Sequence, residues 1–307
     1  MVSNFLFHRV NPKRDVLWDP MDISLFEKCI KYISGNFEVR QLEKLVAGKN
    51  SLQQKKKYAT IVFDDGYKDN IEYAAPILDK YKIRASFYVV TDCIEKNIPT
   101  WTHILDHAFQ FTNRNEIDLS CNFLPEHLKV QKLVGQRSKI EYVRKLKPAL
   151  KKITDSQRVE VLECVQNFFN DVEFPDLMMN WNDLEQLKNA GHYIGSHTVS
   201  HSMLGNMNSE ADVRKELVSS GKKIEERLGY FPSTISYPVG SYDAVTIKLS
   251  KEAGYKMGLA VKQKVYDPAK HGLFEIPRIE LYNEPWLKTR LRIDNIIGKA
   301  SKLFNRR

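Results

Sequence analysis

The 307-residue chain is 42% hydrophobic and 28% charged, proportions that exclude overall disorder and allow a large core. Its net charge of +9 admits an anionic partner, although surplus lysine alone marks no binding surface. Four cysteines without a C-x-x-C pair exclude a disulfide scaffold and a thiolate zinc site, and no apolar stretch reaches the roughly 18 residues needed to cross a bilayer.

Val2 to Phe7 predicts a first strand ending at His8 and Arg9. Its short apolar run precedes the charge instead of following it, unlike a secretory signal, so the expectation is a cytoplasmic protein, with the inner membrane face as its alternative address. From Asp22 the spacing of Ile23, Phe26, Ile30 and Ile33 predicts a helix stopping before Gly35; Gln41 to Ala47 predicts a second, and Gly48 to Lys57 a polar connector. Ala59 to Tyr67, A-T-I-V-F-D-D-G-Y, predicts a buried strand that stops at the adjacent carboxylates Asp64 and Asp65 and turns at Gly66. Such neighbours repel one another unless a cation or unequal protonation relieves them; an Asp-Gly turn in water is the plainer reading. Asp69 to Lys80 has helical apolar spacing interrupted by Pro76, which predicts a shorter helix with the proline in its first turn. Arg84 to Val90 is then the next strand of a β-α-β crossover, which means a parallel sheet.

Trp101 to Asn180 breaks this rhythm and reads as a helical insertion in a barrel loop, with Trp101 and His103 as candidate sugar contacts or, more plainly, core groups. Alternation resumes with a helix over Asn182 to Ala190 and a strand over His192 to Ser196. His197 and His201 follow, and in a helical turn their spacing sets both rings on one face within reach of a single ion. A helix from Ser209 to Leu228, closed by Gly229, precedes a strand over Ser233 to Tyr237 that runs into Pro238 and Val239. Ala244 to Ala253 predicts another helix, and strands follow near Met257 to Val261 and Phe274 to Ile279. Glu284 to Arg307, with seven basic and two acidic residues at helical apolar spacing, predicts a basic amphipathic helix for a membrane surface or docked on the body. No base-reading motif accompanies the charge, so nucleic acid is not an expected partner. The expected organisation is a barrel over 1–283, carrying its insertion at about 101–180, and a terminal helix over 284–307.

His8, Asp64 with Asp65, Thr91, His197, Pro238 and Arg278 each follow a predicted strand, and in a closed parallel barrel those ends converge on one face. Two imidazoles and a carboxylate leave open positions on a divalent ion, as a hydrolytic site requires. Such an ion lowers the pKa of water from 15.7 to about 7, and a second carboxylate can accept the proton. The H-E-x-x-H metalloprotease alternative lacks its glutamate, because position 198 is Thr198.

F-D-D-G at 63–66 and H-T-V-S-H at 197–201 resemble the polysaccharide deacetylases, the NodB-like carbohydrate esterase family 4, including its surface-polysaccharide members. The resemblance runs from about residue 58 to 280, and F-H-R at 7–9 is similar to the opening of several members. It implies a distorted (β/α)7 barrel, Asp64 as general base, and Asp65, His197 and His201 as ligands of zinc, with cobalt, nickel, manganese or iron as alternatives. Where the family carries R-x-P-[FY]-G this chain has Ser236-Tyr237-Pro238-Val239-Gly240, losing the arginine that orients the base but keeping a Val239 amide for the oxyanion. Arg278 is a candidate replacement, or else a salt bridge at a strand end, and His271 or His8 is the candidate general acid. The implied reaction removes the N-acetyl group from an aminosugar of a surface-polysaccharide, such as lipopolysaccharide, or lipid-linked glycan precursor. Alternatives are a deformylase or amidase on another C–N bond, and a catalytically silent barrel that binds glycan or a partner protein.

Overall fold

β1 (Val2–Phe7) is buried along its whole length, as a strand covered on both faces must be. The computed structural model to which it belongs describes residues 1–47 and 56–296. After β1 come α1 (Ile23–Asn36), a two-residue strand β2 (Glu38–Val39) and α2 (Leu42–Ala47). Asp22 caps α1 by accepting from the amides of Ser24 and Leu25, but the helix runs through Gly35 to Asn36, so that glycine is not its stop. The expected connector at 48–57 lies mostly outside the described residues.

β3 (Tyr58–Phe63) pairs in parallel with β1 over six residues. The interruption expected at Pro76 divides 69–80 into a π-type turn at Asn70–Ala74 and the shorter helix α3 (Ala75–Lys80), with the proline in its first turn. Pro76 explains the join, since its ring would crowd the carbonyl one α-turn back and the widened turn relieves that clash. β4 (Ser86–Val89) and α4 (Thr91–Lys96) follow.

The insertion is α5 (Trp101–Phe111), an antiparallel pair β5 (Glu116–Asp118) and β6 (Val130–Lys132), α6 (Gly135–Leu150) and α7 (Asp155–Phe168). The paired strands are an addition to the helical expectation. Leu105, Phe109, Val143, Leu146, Val161 and Val165 give the insertion its own apolar centre. The barrel resumes with α8 (Trp181–Asn189), β7 (Tyr193–Ser196), α9 (Glu210–Leu228), β8 (Thr234–Ser236), α10 (Ala244–Glu252), β9 (Met257–Gln263) and β10 (Ile276–Glu280).

The parallel order β1-β10-β9-β8-β7-β4-β3 closes on itself because β3 also pairs with β1, and β2 hangs on the outer edge of β3. Among the described residues this is a distorted (β/α)7 barrel. Below it, at the amino ends of the strands, Glu43 of α2 is buried and accepts from Ser86 Oγ at 2.6 Å, Tyr88 OH at 2.8 Å and Thr234 Oγ1 at 2.9 Å.

The terminal helix α11 (Trp286–Ile293) packs on α1. Trp286 meets Tyr32 edge-on at 5.5 Å and Lys28 at 4.8 Å, Tyr32 OH donates to Asp294 at 3.0 Å, and Ile293 is buried. The described part of the expected amphipathic stretch is thus docked on the body, and 297–307 lie outside the described residues. Among the described residues no helix is long and apolar enough to cross a membrane.

Candidate active site

β3 delivers two carboxylates to the barrel mouth through an unusual turn. Asp64 still bonds as a sheet residue, its amide donating to the Phe7 carbonyl at 3.2 Å. Asp65 and Gly66 then take φ of 76° and 91°, a reversal that Asp tolerates and that glycine makes without strain. A Cβ on Gly66 would lie 3.0 Å from Ile94 Cδ1, so the position also demands a small residue.

His197 and His201 arrive differently from the helical turn their spacing predicts. Thr198 and His201 have φ of 70° and 61°, so the segment after β7 is a loop. It is held by Thr91 and Asp92 amides donating to the Thr198 and Val199 carbonyls, and by the Glu216 carboxylate accepting from the amides of Val199 and Ser200. The rings nevertheless converge, with centroids 4.9 Å apart.

Both Nε2 atoms lie 3.3 Å from the same Asp65 oxygen, and the three candidate ligand atoms all fall within 4.8 Å of one another. His197 Nδ1 donates to the Ser236 carbonyl at 2.8 Å, which fixes the tautomer and leaves Nε2 free to face an ion. The donor set and spacing fit a divalent cation. Burial alone would push Asp65 up, but hydrogen bonds from the two histidines hold it well below the usual carboxylate range.

Asp64 is buried beside this triad. Arg278 Nη1 donates to both of its oxygens at 2.8 Å and Ser236 Oγ donates at 3.1 Å. Burial again raises the carboxyl, yet the Arg278 guanidinium and then His197 outweigh it, so Asp64 stays ionised. Arg278 lies inside β10, not after it as expected, and reaches Asp64 from within the barrel wall.

A family description, polysaccharide deacetylase, matches residues 51–258. The chain belongs to the polysaccharide deacetylase family. Members of this family generally use a metal ion. A curated relative, YxkH of Bacillus subtilis (strain 168), named as a polysaccharide deacetylase, is 29% identical over 79 residues, covering 26% of this chain and 28% of its own. The matched part thus spans just over a quarter of that relative. The Streptococcus pyogenes deacetylase PplD in complex with acetate superposes with a TM-score of 0.63 at 16% identity, over 95% of this chain and 97% of its own. IcaB from Ammonifex degensii gives 0.58 at 15% identity, over 95% and 96%. At these identities the two structures attest the fold.

The chain gathers His8, Asp64, Asp65, His197, His201 and Val239 around one pocket of about 290 Å³, with Arg278 behind Asp64. Val239 has φ of 55°, a costly conformation for a β-branched residue, and its N–H has no backbone acceptor among the described residues. Tyr237 and Pro238 are buried outside the pocket; the tyrosine ring stacks on Tyr242 at 4.8 Å. His8 lies with Nδ1 3.5 Å from Glu280 Oε1.

Three further candidates, besides Tyr237 and Pro238, are not brought there. His271 sits in the loop whose Tyr266 pairs with Val2, at the amino ends of the strands and so at the far end of the barrel. Trp101 is buried in the insertion under the Arg158 guanidinium at 5.1 Å. His103 lies 3.2 Å from Tyr67 OH, and burial, with Arg9 nearby, drives its pKa down to about 3. Their neighbour Thr102 lines the pocket instead. Sequence reasoning also missed Trp18, Lys147, Lys151 and Glu280. Strand alternation puts Glu280 on the face of Arg278, a signal available in I-P-R-I-E; which side of α6 meets the barrel is set by tertiary packing alone.

Proposed function

We propose that this chain removes the N-acetyl group from an aminosugar of a surface-polysaccharide or lipid-linked glycan precursor, using a divalent ion held by Asp65, His197 and His201. The reading is supported above all by one Asp65 oxygen lying 3.3 Å from both imidazole Nε2 atoms beside an ionised Asp64. Zinc suits this set of two nitrogens and one oxygen with open positions. When bound, the ion supplies Lewis acidity to a carbonyl oxygen and lowers the pKa of water to about 7.

Asp64, fixed by Arg278 and Ser236, takes the proton of the attacking water as the new C–O bond forms at the acetyl carbon. The Val239 N–H donates to the oxygen on which negative charge develops. An amine departs only when protonated, so the C–N bond breaks as an imidazolium donates to nitrogen. His8 takes that role: its Nδ1 lies 3.5 Å from Glu280 Oε1, which leaves Nε2 for the pocket. Acetate and a free aminosugar result, with His8 and Asp64 restored by proton exchange.

Asp64→Asn should retain the ion in elemental analysis yet release acetate from N-acetylglucosamine oligomers at least about 100-fold more slowly. Asp65→Ala should lose the ion. Unchanged acetate release by a metal-bearing Asp64→Asn enzyme would overturn the assignment of the base.

A further inference from the structure

The insertion brings to the pocket two ammonium groups that the hydrolytic scheme does not use. Lys147 and Lys151 are four residues apart at the end of α6, and both line the pocket that holds Asp64 and Asp65. Lys147 Nζ is occupied by Asp106 at 2.6 Å. Lys151 has no ion pair among the described residues. The acids that line the pocket have other close partners: Arg278 holds Asp64, the histidines face Asp65, and Glu280 lies beside His8. Lys151 therefore stands at the pocket wall without a direct ion pair, with Glu280 and Asp106 acting on it only at longer range.

Its position is built. Asn206 donates to the Lys151 carbonyl at 3.2 Å and the Ile153 carbonyl at 3.1 Å, and accepts from Ser241 Oγ at 2.9 Å. Ser241 follows the turn that carries Val239, so one asparagine ties the end of α6 to the segment assigned to the oxyanion. These bonds anchor the main chain from which the Lys151 side chain extends. Partial desolvation of the ammonium at the pocket wall and then Lys147 work against the Lys151 charge more than Glu280 and Asp106 favour it, a cost that an incoming anion would offset.

We infer that Lys151, supported by Lys147, is a subsite for a phosphoryl group carried by the aminosugar, which makes the substrate a sugar phosphate ester in preference to a neutral glycan. This rests on the deacetylase reading for the identity of the sugar. Two point charges one helical turn apart suit the several oxygens of a phosphoryl group, which lysine binds as a mobile point charge. The ester can belong to a nucleotide or to a lipid carrier.

The test uses the metal-loaded full chain, with N-acetylglucosamine 1-phosphate and methyl N-acetylglucosaminide as probes. Calorimetric titration of the Asp64→Asn protein reads binding without turnover. The phosphate ester should bind at least about tenfold more tightly, the scale of one charge-assisted contact. Lys151→Ala should abolish that preference and Lys151→Arg should keep most of it; Lys151 is exposed, so truncation leaves the core intact. Equal affinity for the two probes, or a preference that survives Lys151→Ala, overturns the subsite. Acetate release by the wild type separates this from the parent reading: hydrolysis without a Lys151-dependent preference removes only the subsite. Lys151-dependent binding without hydrolysis of any probe removes only the deacetylase. Comparing the uridine diphosphate sugar with a decyl phosphate ester then assigns the carrier.

Discussion

Asp64 illustrates how a residue lost from a motif is replaced from elsewhere. The arginine position of the family pattern is Ser236, whose hydroxyl still reaches the carboxylate, while the guanidinium comes from Arg278 of the last strand. The charge that keeps this buried acid ionised therefore enters 214 residues away in sequence. Arg278→Met removes it and takes away the largest force opposing burial, so the Asp64 pKa rises. Because Asp64 can act as the proposed base only when ionised, the acidic limb of kcat/KM should move to higher pH, and Arg278→Lys should move it less. Acetate release measured across pH, with circular dichroism confirming the fold, checks this. A limb that stays in place would show that the guanidinium does not set the base.

At the scale of elements, the barrel was legible where one rule decided the structure. Buried β-branched runs between helical spacings specify parallel strands, and the ends of parallel strands converge. The loop carrying the histidines was not, because Thr198 and His201 adopt positive φ without a glycine to announce it. His271 was misplaced for a related reason: its segment turns back toward β1, and nothing local encodes that reversal. Glu43 was equally hidden, since a glutamate in a short helix ordinarily faces water. Here it is buried among three hydroxyl groups, and burial raises its pKa more than their hydrogen bonds lower it. The folded protein thus keeps this proton to higher pH than the unfolded chain. Its favourable contribution is complete below the ordinary carboxylate range and is lost as pH rises through the raised value. Glu43→Gln, uncharged throughout, should remove that loss and raise the melting temperature at pH 8 by roughly 2 to 4 °C, with a smaller effect at pH 5. Thermal unfolding followed at both pH values tests it; a lower midpoint at pH 8 would mean that the carboxylate is needed at the barrel floor.

Across the whole molecule, buried titratable groups act on stability in opposite directions. His103, where the insertion meets the barrel mouth, has its pKa lowered to about 3, and His192, next to the barrel floor, to about 4, in both cases mainly by burial. Each is neutral in the fold and takes up a proton on unfolding, so stability present above about pH 6.5 is lost as pH falls toward those values, by up to about 1.4 kcal/mol per pH unit for each. Asp106 has the reverse sign. Burial raises it to about 6 despite Lys147, so the fold gains stability from it as pH falls from about 6 toward the ordinary value of 3.8. Glu43 acts in the same sense. Two histidines and two carboxyls therefore oppose one another between about pH 4 and 6, and the intact protein should show only a shallow slope there. Removing one class should expose the other. A His103→Gln, His192→Gln variant is expected to gain stability on acidification from pH 6 to 4.5, whereas Glu43→Gln should lose it more steeply than the wild type. Urea unfolding with chelator present keeps proton competition at the ion-binding residues out of the comparison. Parallel slopes for all three proteins would show that these buried groups exchange no protons on folding.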